Sequence, residues 1–80
     1  MRVYALGPSN ERSFREIVAR SPPSYFFFTY DLAENPERTT VDLAMEGKRI
    51  RAAMLTFDDR IVQLRGARRG VRSLLESLIA

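Results

Sequence analysis

Along this chain the spacing of apolar positions changes between two and nearly four, and each change marks an element boundary. Residues 2–6, RVYAL, fit a short strand closed by Gly7-Pro8. Ser9 is placed to cap a helix over about 10–20 whose apolar stripe is Phe14, Ile17 and Val18. Ser13 and Glu16 offer a capping box if that helix starts later. At the other end Val71, Leu74, Leu75 and Leu78 recur at i, i+3, i+4 and i+7, the strongest helical signal in the sequence.

Between these segments, SPPSYFFFTYDLAENP places aromatics on both faces under either period. Propensity favours a strand, because Tyr, Phe and Thr suit a pleated surface. The flanks favour a helix, with Ser21 as cap, Pro22 in the first turn and Tyr25, Phe28 and Leu32 on one stripe before Asn35-Pro36. Pattern alone leaves both readings open. Such an aromatic run is more often core or subunit interface than a stacking platform, and it lacks interleaved Arg or Lys.

From Thr39 the alternation is plain. Val41, Leu43 and Met45 alternate with Asp42 and Ala44, Glu46-Gly47 predicts a two-residue turn, and KRIRAAMLTF returns. That turn sets Leu43 opposite Ile50 and Val41 opposite Ala52. Asp58-Asp59 predicts a second turn, with Leu55 opposite Val62 and Ala53 opposite Leu64. The middle strand then uses residues 50, 52 and 54 on one face and 53, 55 and 57 on the other. A strand apolar on both faces lies at the centre of a sheet covered on both sides.

The expected domain, residues 1–80 as one unit, is α+β with a three-layer tendency. Its order is strand, helix, helix, three-strand antiparallel meander, helix. A terminal strand–helix unit normally returns to a further parallel strand, so the sheet is expected to present an open edge.

That order, with SYFFFTYDL as a helix before the meander TTVDLAMEGKRIRAAMLTF and with IVQLRGARRGVRSLLESL closing the unit, resembles the N-terminal half of the GNAT N-acetyltransferase fold. The resemblance implies a helix over 22–33. It also implies acetyl-CoA as the cofactor of a complete enzyme, and a C-terminal half that carries much of the acyl and amine chemistry. In that family a loop Gln/Arg-x-x-Gly-x-Gly/Ala between strand and helix binds pyrophosphate, because free amides and small residues let the backbone approach. Gln63-Leu64-Arg65-Gly66-Ala67-Arg68 matches this pattern except at its end, where Arg68 stands for Gly or Ala. Aligned on the helix leucines, Ala67-Arg68-Arg69-Gly70-Val71-Arg72 keeps Gly70, lacks the first residue and ends on Arg72. A side chain at that last position would crowd a pyrophosphate. The candidate anion or CoA turn is therefore Gly66, Arg68, Arg69, Gly70, Val71 and Arg72. A solvated structural corner ranks first for these residues, an anionic or acidic partner second and CoA third.

Composition narrows the chemistry. The chain has no Cys and no His, so disulfides and the Ser-His and Cys-His nucleophile pairs are excluded within it. The adjacent acids Asp58-Asp59 read as a turn, not as a metal pair. Tyr4, Tyr25 and Tyr30 have no neighbouring base to mark a general acid. No apolar stretch reaches the roughly 18 residues of a membrane span, and the start, MRVYALGPSNER, turns polar too early for a signal peptide. A cytoplasmic location is expected.

The net charge of +3 lies entirely in residues 41–80, and Arg60, Arg65, Arg68, Arg69 and Arg72 have no acid among them. The arginines at 68, 69 and 72 sit at the positive end of the last helix, where they cost roughly 0.3–1 kcal/mol each unless an anion or acid offsets them. Two functional readings follow. The first is a non-catalytic scaffold or substrate-side domain of a GNAT-like acetyltransferase that completes its sheet with a second copy, a partner or a C-terminal catalytic domain. The second is a small basic module binding nucleic acid through those five arginines. The isolated chain is not expected to transfer acetyl groups.

Overall fold

The computed structural model describes residues 1–79. Strand β1 (Arg2–Ala5) leads to helix α1 (Glu11–Arg20), and a 3-10 turn at Pro22–Tyr25 runs into α2 (Phe26–Glu34). A second 3-10 turn, Pro36–Arg38, delivers the chain to β2 (Thr39–Glu46), β3 (Arg49–Phe57) and β4 (Arg60–Gly66), and α3 (Arg68–Ile79) follows. The strands form one antiparallel sheet in the order β1-β2-β3-β4. The mixed α+β class and the expected order of elements are both present.

Helix α1 begins one residue later than its expected cap implies, because the cap is Asn10 and not Ser9. Asn10 is buried. Its Oδ1 accepts from the Gly7 amide at 2.8 Å, and its Nδ2 donates to the Ala5 carbonyl at 3.1 Å. The side chain thus stitches the end of β1 to the start of the helix instead of capping the helix's own amides. The Ser13–Glu16 box lies inside α1 and plays no capping part.

The aromatic stretch is helical. Pro22 and Pro23 fix a 3-10 first turn, and α2 starts only at Phe26. Tyr25, Phe28 and Leu32 do face one core, where Phe28 is fully buried and Tyr25 and Leu32 are partly so. Phe14 from α1 meets Tyr25 and Phe28 with ring centroids 6.3 and 6.0 Å away, and Tyr25 and Phe28 are 5.4 Å apart. These tilted and edge-on contacts suit aromatic quadrupoles.

Two bulges correct the expected registers. The first turn is Gly47-Lys48, with Gly47 at φ +62°, so Glu46 pairs Arg49 and Met45 pairs Ile50. The ladder then slips: Ala44 pairs Ala52, Leu43 pairs Ala53 and Val41 pairs Leu55, leaving Arg51 as the extra residue. The second turn is Asp58-Asp59 as expected, and both residues have positive φ, 51° and 64°, the twist a two-residue hairpin requires. Beyond Thr56–Ile61 this ladder slips too, so Leu55 pairs Gln63, Met54 pairs Leu64 and Ala53 pairs Arg65.

Each bulge shifts the side-chain phase by one residue. The two faces of β3 are therefore not the two expected sets. Ile50, Ala53 and Leu55 join Val41, Leu43, Phe14 and Phe28 beneath α1 and α2, whereas Ala52 and Met54 join Ala44 and Leu74 beneath α3. Strand β3 is nevertheless buried on both faces, as expected, and separates two cores.

The α3 stripe is split. Leu74 is fully buried and Val71 partly so, but Leu75 and Leu78 lie exposed. Gly70 is buried, and its backbone lies close against Arg51 and Ala52 of β3.

The hairpin tip is held from outside the sheet. Arg38 Nε donates to Asp58 Oδ1 at 2.8 Å, and its Nη2 donates to Oδ2. The Asp58 amide donates to the Arg38 carbonyl at 3.0 Å, and the guanidinium lies 4.6 Å from the Phe57 ring centroid. This two-point pairing holds the Asp58 carboxyl below its ordinary range, chiefly through the hydrogen bond.

Candidate functional site

The segment with the densest sequence signals is the corner from β4 into α3. Its floor is the bulged stretch of β3. Gly66 pairs Ala52 at the end of the ladder and turns with φ +123°, a region that side chains rarely enter. A Cβ on Gly66 would lie 2.3 Å from the Arg51 carbonyl oxygen and 2.6 Å from the Ala52 Cα. A Cβ on Gly70 would lie 2.7 Å from the Ala52 Cβ and 3.1 Å from both the Ala52 nitrogen and the Arg51 carbonyl carbon.

Both glycines are thus pressed against one peptide of β3. Between them the Ala67 amide donates to the Arg51 carbonyl at 2.8 Å, and the first helical bond runs from the Val71 amide to the Ala67 carbonyl at 2.9 Å. The pair at residues 66 and 70 is accounted for by close packing of the helix start on the sheet. An incoming backbone or phosphate is not needed to explain either one.

The five arginines of the basic stretch diverge. Arg65 lies on the α1–α2 side of the sheet, where its Nε donates to the Ser24 carbonyl at 3.0 Å. With the Gln63 amide oxygen turned toward it, Arg65 also donates from Nε and Nη2 at 3.0 and 2.8 Å. Burial pushes the Tyr25 hydroxyl above its ordinary range, and the positive charge of Arg65 only partly opposes this. That hydroxyl is consequently held as a phenol and is no candidate base.

Arg60 stands at the hairpin end, while Arg68, Arg69 and Arg72 belong to α3. Glu46, held low by a hydrogen bond from Arg51 at 3.0 Å, also feels the charge of Arg69. Arg60, Arg65, Arg68, Arg69 and Arg72 make no ion pair among the described residues.

Two exposed apolar surfaces flank the corner. One is the sheet edge: β4 has no neighbouring strand on its outer side among the described residues, and Ile61 and Val62 are exposed there. The other is the outer side of α3. On α2, Phe26, Phe27 and Tyr30 are also more than half exposed. The Phe26 ring meets those of Phe27 and Tyr30 with centroids 5.6 and 5.9 Å apart.

Among the described residues no cluster of three or more His, Cys, Asp or Glu could hold a metal ion, and no helix is long and apolar enough to cross a membrane. Asp58 is committed to Arg38, so the Asp58-Asp59 pair serves as a turn.

Sequence reasoning misses the floor of the corner, Arg51 and Ala52, although a signal for it exists. Ala52-Ala53 is a pair of small side chains at the centre of a strand, matched by glycines four residues apart in the following strand–helix link. Comparison with protein-family models, with curated proteins and with solved structures returns no match.

Proposed function

We propose that this chain is a non-catalytic scaffold module that completes its sheet at β4 with a strand from another polypeptide or from a C-terminal half. Its relation to the GNAT fold is part of this proposal, supported by the element order strand-helix-helix-meander-helix. On that reading the module is the N-terminal, substrate-side half of an acetyltransferase-like assembly. The observation that carries it is the outer edge of β4, which no strand among the described residues pairs, with Ile61 and Val62 exposed beside it. An edge strand offers a row of backbone donors and acceptors to an incoming strand. The catalytic groups of an acyl transfer would come from that partner.

The corner is read as structural, because the Ala67 amide and both glycines are engaged with β3. An amide-resolved NMR titration of the chain with acetyl-CoA tests this at residues 64–73. No saturable shift at millimolar ligand is expected. Saturable shifts confined to that loop would place the module on the cofactor side of an enzyme. Robust acetyl transfer by the chain alone would sink the non-catalytic reading.

A further inference from the structure

We infer that α3 is the contact surface for a second copy of this chain, packed antiparallel across a two-fold axis. Neither the sheet edge nor the acetyltransferase-like resemblance enters here, since only the outer side of α3 is involved.

Three features of that helix converge. First, its exposed side carries an apolar seam: Leu75 is 41%, Leu78 51% and Ile79 88% exposed. Arg68, Arg72, Leu75 and Ile79 follow one another at steps of four, three and four, the spacing of residues that face a partner helix. A shallow groove of about 460 Å³ runs along this side, lined by Arg68, Val71, Arg72, Leu75, Glu76 and Ile79.

Second, the charges on α3 are at the wrong end for an isolated helix. Its first turn has arginines and no acid, and its last turn has no base. An antiparallel copy reverses the field. The arginine-bearing N-terminus of each helix then lies beside the C-terminal carbonyls of the other, where positive charge is favourable.

Third, Arg72 and Glu76 are both exposed and unpaired among the described residues, although they are four apart on one helix. Arg preceding Glu is the poorer orientation for a pair within one helix. In an antiparallel pair centred near residue 74, the same flanks of the two helices meet. Arg72 of each copy then faces Glu76 of the other, and the two-fold makes two such pairs.

The competing occupants fit less well. Pairing β4 with β4 of a second copy would set arginines 60 and 65 against each other with no acid on either strand. An acidic partner would suit Arg68 and Arg72 but would repel Glu76. The 12-residue helix is only about 18 Å long, so the contact falls at the small end of protein interfaces, below roughly 1,200 Å² in total. The dimer is therefore weak and concentration-dependent.

Sedimentation equilibrium of the full chain, from micromolar to millimolar, is the test, with Arg72→Glu and Glu76→Arg as variants. Both positions are exposed, so far-UV circular dichroism should match the parent. The parent is expected to dimerise, and each variant alone to dissociate roughly tenfold more readily, because two pairs turn from attraction to repulsion. An equimolar mixture of the two variants should regain the parent's association. In that heterodimer one copy presents acids at both positions and the other presents bases at both, so both cross-helix pairs are attractive again. A parent that stays monomeric throughout the range overturns the inference. So does a dimer indifferent to both reversals, or a mixture that fails to recover. A dimer formed through the β4 edge would show itself by that indifference.

Discussion

Replacing Gly70 by alanine distinguishes a packing role for the corner glycines from a ligand-binding one. In an exposed helix interior, glycine to alanine is worth about 0.8–1 kcal/mol of added stability. At Gly70 the new methyl would start 2.7 Å from the Ala52 Cβ and 3.1 Å from two backbone atoms of β3. Those atoms belong to the central strand, buried on both faces, so neither can move without disturbing a core. Overpacking of this kind costs about 1–3 kcal/mol. The net expectation is a loss of about 1 kcal/mol, against the sign that helix propensity alone would give.

The other glycines set the scale. Gly66→Ala combines a positive φ with a 2.3 Å approach to a carbonyl oxygen, and is expected to be the worst of the four. Gly47→Ala meets nothing within 4 Å and carries only the left-handed backbone cost, about 1–2 kcal/mol. Gly7→Ala meets only a carbonyl oxygen at 4.0 Å and should be neutral or slightly stabilising. Urea unfolding followed by far-UV circular dichroism reads the series as shifts of midpoint at constant slope. A higher midpoint for Gly70→Ala than for the parent would refute the packing account and return the glycine to the role of a phosphate neighbour.

Asn10→Ala removes the side chain that satisfies Gly7 and Ala5, and should cost about 1–3 kcal/mol in urea unfolding because two part-buried groups lose their partners. Leu74→Ala empties the fully buried leucine position under α3, at an expected cost of about 2–5 kcal/mol in the same assay. The two shifted aspartates act in opposite directions. Asp58 is depressed by Arg38, so its stabilisation is full above the unfolded pKa and is lost as pH falls through the folded one; Asp58→Asn should lose midpoint at pH 7 and little at pH 2. Asp42 is half-buried on the α3 side of β2, and burial raises it. Its ionised form therefore opposes folding at neutral pH and is relieved on protonation, so Asp42→Asn should raise the midpoint at pH 7. A lower midpoint for Asp42→Asn would contradict that cause. Because Arg65 is turned toward Ser24 and away from the α3 arginines, mixed RNA in a filter-binding series should show no strong salt-dependent retention.

The two ambiguous regions are ambiguous for different reasons. SPPSYFFFTYDL cannot be placed by period, because its aromatics surround the helix: Phe28 and Tyr25 point into the core while Phe26, Phe27 and Tyr30 point out. The strand registers fail for a reason internal to β-structure. A bulge adds one residue to one strand, and alternation carries no mark of it when both faces of that strand are apolar. RIRAAML reads the same on either phase, so Leu43 can be matched to Ile50 as well as to Ala53.

Apart from α2, whose type the local pattern left open between strand and helix, the element types and the two-faced burial of β3 came from local chemistry: the Asp-Asp turn, the alternation of β2 and the leucines of α3. Those signals lie within a few residues of the structure they specify. The tertiary fold alone decided what is shared between distant segments. It set Arg38 against Asp58, Arg65 against Ser24, and both corner glycines against a single peptide of β3. It also decided which leucines of the α3 stripe are covered, since a helix pattern marks an apolar side without stating how much of it one sheet can bury. Leu74 meets the sheet and Leu75, Leu78 and Ile79 remain beyond its reach.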